Sequence, residues 1–194
     1  MSSFGLLTTL AVRLRSRGTP DTIAITVAEL DGSDAELVTT RVERELARGV
    51  EEGRFRRRGE EGRHSLTPAG EAELNAMLAA ELTGPDRAEV TTAYEAFLPL
   101  NRRFLSACVD WQDHLIDLEV FLELIDELVP ILDSLTSVRD RFGSYAPRLV
   151  GAVADATADE AWIDSPTRDS VHTVWFELHE HLLASLGRER IDER

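Results

Sequence analysis

The sequence predicts a mostly α-helical protein in two parts, the first of them carrying a small two-stranded hairpin. Three observations lead there. Apolar residues recur at three- and four-residue spacing along almost every segment, as in helices that bury one face. One stretch, Arg54-Phe55-Arg56, alternates instead, and beyond a turn bounded by Gly59 and Gly62 it is answered by Arg63-His64-Ser65-Leu66. Gly84-Pro85-Asp86 then breaks the pattern, so residues 1–84 and 85–194 read as separate domains.

The first helix covers about Phe4 to Arg17, with Leu6, Leu7, Leu10, Val12 and Leu14 as its apolar side. Thr19 is an N-cap and Pro20 fits the first helical position, opening a second helix to about Leu30 that stops at Asp31-Gly32. Ser33 to Glu36 reads as a capping box for a third helix. In that helix Val38, Val42, Leu46 and Val50 form a buried stripe ending near Glu52. At about 100° per residue the opposite face presents Thr40, Arg41, Arg44 and Arg48, with Glu43 and Glu45 on the flanks. The hairpin follows, rich in arginine (Arg54, Arg56, Arg57, Arg58, Arg63), and Thr67-Pro68 caps a fourth helix.

Every long segment beyond Gly84 has helical spacing. Helices are expected from Arg87 to Leu98, continuing past a kink at Pro99 to Gln112; from Ile116 to Phe142 with a kink at Pro130; from Pro147 to Ala156; and from a Ser165-Pro166 cap to Gly187. An antiparallel helical bundle results, with Phe97, Leu98, Phe104, Leu105, Phe121, Leu122, Leu128, Ile131, Leu132 and Leu135 as its core. Trp111 and His114, with His172, Trp175 and His179 on one face of the last helix, are candidates for a ligand pocket, a dimer interface or simple packing. Imidazoles at 114, 172 and 179 suit a metal, but no H-E-x-x-H is present and histidines among aromatic residues are more often packed. No metal and no cofactor is expected.

A chain of 194 residues that is 43% hydrophobic can bury its own core. It has no apolar run of about 18 residues, so no membrane span is expected. Cys108 is the single cysteine, which excludes an internal disulfide and a thiolate zinc cluster and makes a cytoplasmic location the expectation. Nucleophile elbows, phosphate loops and metalloprotease helices are missing, so an enzyme is not expected. The net charge is −15 and very uneven: residues 1–85 hold 11 arginines against 14 acids, residues 86–194 hold 10 against 22. A polyanion is therefore repelled by the second half and can be met only by the first.

Val42, Leu46, Gly53, Phe55, Leu66, Thr67, Pro68 and Gly70, in the order three helices, basic hairpin and "LTPAG", resemble the winged helix-turn-helix domain of MarR-type transcriptional regulators over about Leu6 to Leu82. The resemblance implies a third helix that enters the major groove of double-stranded DNA with Thr40, Arg41, Arg44 and Arg48. It also implies a wing laid against the backbone through Arg54, Arg56, Arg57, Arg58 and Arg63. The acidic helical domain would then form a homodimer, sense a small-molecule effector, or both. The competing expectation is a protein-interaction module that never touches DNA, because Glu51, Glu52, Glu60 and Glu61 stand beside the arginines.

Overall fold

A computed structural model describes residues 2–166 and 168–189; the last five residues of the expected second domain, 190–194, lie outside the described residues. The fold is mostly helical with one small antiparallel two-stranded sheet. The chain divides into two compact units, residues 1–84 together with 183–194, and residues 85–182.

The first unit runs α1 (Phe4–Arg15), α2 (Pro20–Asp31), α3 (Ala35–Glu51), β1 (Phe55–Arg58), β2 (Arg63–Leu66) and α4 (Pro68–Glu81). Side-chain oxygens satisfy the amides left free at each helix start: Ser3 accepts from the Leu6 N–H, Thr19 from Thr22, and Thr67 from Gly70. The cap of α3 is Asp34, which accepts from Glu36, and not Ser33. A carboxylate one residue nearer the helix replaces the expected capping box. α1 ends at Arg15 rather than Arg17 because Ser16 and Arg17 both take left-handed backbone, φ 33° and 86°.

Leu10, Ile23, Val27, Val42, Leu46, Leu74 and Leu78 form the centre of this unit's core, which Ala184 joins. The buried stripe of α3 is Val38, Val42, Leu46 and Gly49, while Val50 is 37% exposed. A strict four-residue spacing drifts around the helix, and the three-residue step to Gly49 corrects it. Gly49 also admits the strand: a Cβ there would stand 2.3 Å from the Phe55 ring. Gly70 plays the same part at the start of α4, where a Cβ would meet the Arg54 carbonyl oxygen at 2.2 Å. The strands pair Phe55 with Leu66, Arg56 with Ser65, Arg57 with His64 and Arg58 with Arg63. The His64 N–H also donates to the Gly18 carbonyl (2.8 Å), a single bridge to the segment between α1 and α2.

The second unit holds α5 (Gly84–Gln112, from Pro85 on), α6 (Leu118–Val138), a 3-10 turn (Asp140–Phe142), α7 (Tyr145–Ala156), the short α8 (Ala161–Asp164) and most of α9 (Val171–Leu186). Pro99 and Pro130 lie inside continuous helices and do not divide them. α9 begins at Val171, not at Ser165-Pro166; the Ser170 hydroxyl accepts from the Thr173 N–H and supplies the cap. Of the expected core, Phe97, Phe104, Phe121, Leu128, Leu132 and Leu135 are buried and Leu98 and Ile131 half-buried. Leu105 and Leu122 are instead 51% and 43% exposed. Their neighbours Phe104 and Phe121 occupy the inward face, and the step of about 100° between adjacent residues turns Leu105 and Leu122 toward the outer side of their helices. No described helix is long and apolar enough to cross a membrane.

Candidate functional site

Thr40, Arg41, Arg44 and Arg48 lie together on the exposed face of α3. The Arg41 guanidinium sits 3.8 Å over the Phe4 ring, and Arg44 Nε donates to the Thr40 carbonyl at 3.4 Å, so both keep their charge available at the surface. Arg48 is held by Glu45, 2.5 Å from Nη2, and its positive charge is largely cancelled. Leu37 belongs to the same face, one turn earlier, and is 80% exposed. Helical spacing alone identifies it as a neighbour of Arg41 and Arg44, but its apolar side chain had no reason to be read as a surface residue.

Arg54 is withdrawn from the surface. It is 6% exposed, its Nε donates to Glu52 (2.8 Å), its Nη2 to Glu45 (3.2 Å), and Glu73 of α4 lies 3.7 Å away. The cluster ties the residue just before β1 to α3 and α4, so Arg54 is a structural cross-link and not a cation offered to a ligand. Burial pushes the Glu45 carboxyl up, but hydrogen bonds from Arg48 and Arg54 and their charges outweigh it and hold Glu45 below the usual carboxylate range.

Arg56, Arg57 and Arg58 are exposed, and among the described residues none of them makes an ion pair. Arg63 pairs with Glu61 at 2.7 Å. Strand alternation puts Arg56, Arg58, Arg63 and Ser65 on one face of the hairpin and Arg57 with His64 on the other. His64 is buried; burial, then the charge of Arg57, push its pKa down against the Gly62 carbonyl, which favours the protonated ring. The acids beside the hairpin thus neutralise Arg54 and Arg63 and leave three consecutive cations free.

The five residues expected to line a ligand pocket do not meet in one place. Trp175 is stacked on Phe104, 4.3 Å between ring centroids and 5° between planes, and its Nε1 donates to Asn101 Oδ1 at 3.1 Å. His179 is buried beside Phe97, and His172 stacks over Phe104 at 6.3 Å. Trp175 and His179 belong to the packed interior of the second unit, and His172 is half-buried against it. Trp111 and His114 line a separate hollow of about 440 Å³, with Asp117, Leu118, Thr157 and Glu160. No described group of three His, Cys, Asp or Glu side chains is arranged to hold a metal ion.

One buried cluster had no sequence signal. His181 accepts from Arg141 Nε at Nε2 (3.0 Å), so its proton sits on Nδ1, which faces the Tyr145 hydroxyl at 3.0 Å. Burial and then Arg141 push its pKa well below the ordinary value. Helical spacing places His181 on a face, but its partners come from α7 and the turn before it, which only the tertiary fold brings near.

Comparison with protein-family models, with curated proteins and with solved structures gave no match.

Proposed function

We propose that the first unit is a winged helix of the MarR type and that the protein is a DNA-binding transcriptional regulator. The order helix, bridged segment, helix, helix, strand, strand supports the wing assignment, with the Gly18 to His64 bridge in the position of a third short strand. One observation carries the DNA reading: in a chain of net charge −15, most of the exposed arginines that make no ion pair among the described residues, Arg41, Arg44, Arg56, Arg57 and Arg58, lie on α3 and on the hairpin, with Arg17 beside the hairpin and Arg102 of α5 as the exception. Like charges held together at a surface repel one another unless an anion is there to meet them. Arg44 and Arg41 suit base edges in a major groove, Leu37 a thymine methyl, and Arg56, Arg57 and Arg58 the phosphates alongside. Thr40 supports them; Arg48 and Arg63 contribute after exchanging a carboxylate for a phosphate.

The second unit, an antiparallel bundle in this reading, dimerises the protein so that two recognition helices reach successive major grooves about 34 Å apart. The hollow lined by Trp111 and His114 is the place for a small-molecule effector. An electrophoretic shift with DNA from upstream of the protein's own gene, repeated at several salt concentrations, tests the reading. Binding that weakens steeply with salt is expected. Absence of any shift at low salt rejects it in favour of a protein-interaction module, a role that the ion pairs of Arg48, Arg54 and Arg63 would serve.

A further inference from the structure

A hollow of about 430 Å³ opens between the outer face of the hairpin and the segment joining α1 to α2. Ser16, Arg17, Arg56, Arg58, Arg63 and Ser65 line it, and no carboxylate does. The register explains the convergence from the hairpin side: Arg56 faces Ser65 across the ladder and Arg58 faces Arg63, so all four project to the same side. From the other side, the left-handed backbone at Ser16 and Arg17 turns the chain out of α1 and into the bridge at Gly18. Arg17, Arg56 and Arg58 make no ion pair among the described residues, whereas Arg13 and Arg15, on the preceding turn of α1, are held by Glu71 and Glu29. Arg63 is tied to Glu61, which stands exposed outside the lining and can be exchanged.

Four guanidinium groups and two hydroxyls around one hollow have the chemistry of an oxyanion seat. Guanidinium forks match tetrahedral oxyanions in pairs of hydrogen bonds, and the hydroxyls donate to the remaining oxygens. We propose that this cleft seats a phosphate group, supplied by the backbone of the duplex on which the hairpin lies, and that Ser16 and Arg17 are part of the DNA-contacting surface. The proposal rests on the DNA reading for the source of the phosphate, not for the chemistry of the seat.

Position 17 allows a test in which stability and binding move apart. At φ 86° an arginine backbone is disfavoured and glycine is not, so Arg17→Gly removes the cation without loosening the fold. Binding of random-sequence duplex is measured across salt for the wild type, Arg17→Gly and Arg17→Lys, with melting temperatures. Expected for Arg17→Gly are a melting temperature equal to or above wild type, a roughly threefold to tenfold loss of affinity, and a salt slope smaller by about one unit. Arg17→Lys keeps the slope. Wild-type affinity and slope in Arg17→Gly overturn the proposal and leave the DNA reading standing. If the wild type binds no duplex, pyrophosphate is titrated while the Ser16 and Ser65 amides are followed by NMR. Saturable shifts, lost in Arg17→Gly, keep the seat but reassign it to a free phosphorylated compound and reject the duplex source; no shifts reject the seat as well.

Discussion

Trp175 illustrates how far a residue's environment decides its role. Stacked on Phe104 and hydrogen-bonded to Asn101, it is 1% exposed and leaves no space for a ligand. Trp175→Ala is expected to cost about 3 to 5 kcal/mol, seen as a large drop in melting temperature. A stable variant that had lost only an effector response would return Trp175 to a pocket. Cys108 reports on the same unit. Burial, and then the charge of Asp164, push its thiol up to about 12, so almost no thiolate exists at neutral pH. A thiol-labelling reagent is expected to react with it only at the rate of unfolding; fast labelling of the native protein would contradict the packing around it.

At the scale of elements, α3 and the hairpin differ in the kind of contact they offer. If α3 reads bases, Arg44→Ala should cost about 1 to 3 kcal/mol at the preferred site and less on random DNA. Replacing Arg56, Arg57 and Arg58 by alanine should weaken all sequences alike and flatten the salt slope by up to about one unit for each phosphate lost. Equal losses in both experiments would make Arg44 a phosphate contact. Much of this was legible in the sequence, because local chemistry determines it: Thr19-Pro20 and Thr67-Pro68 start helices, Gly32 ends one in left-handed backbone, and the alternation about Phe55 marks a strand. Choices among adjacent residues were not legible. Ser33 or Asp34, Ser165 or Ser170, and Leu105 or Phe104 are equally good candidates until neighbouring elements select one. The conversion of Arg54 into a cross-link needs Glu45 from α3 and Glu73 from α4 in one place, and no periodicity within a segment can report that.

For the whole molecule, acid is the condition that separates the two kinds of buried charge. In each unit a buried histidine, His64 in the first and His181 in the second, has a pKa that burial and a neighbouring arginine push below the ordinary value. Above about pH 7 these rings are neutral whether the chain is folded or not, and they leave stability independent of pH. Below the ordinary histidine value of about 6.5 the unfolded chain takes up protons that the folded one refuses. Stability is therefore complete above that value and falls as pH drops toward the folded-state pKa, by at most about 1.4 kcal/mol per pH unit for each ring. Glu45, held low by Arg48 and Arg54, acts later: its contribution is present above the ordinary carboxylate range and is lost as pH falls below it. The melting temperature should accordingly be level above about pH 7 and decline between about pH 6.5 and 5, before carboxylates contribute. His64→Gln is the control, since it keeps a donor for the Gly62 carbonyl but has nothing to protonate. Every other titrating group, and the net charge of −15 that acid gradually relieves, is shared by the two proteins. The difference between their pH profiles thus isolates His64, and the variant should show the shallower decline. Parallel profiles for wild type and His64→Gln would mean that the folded hairpin accepts the proton and that His64 is not held neutral beside Arg57.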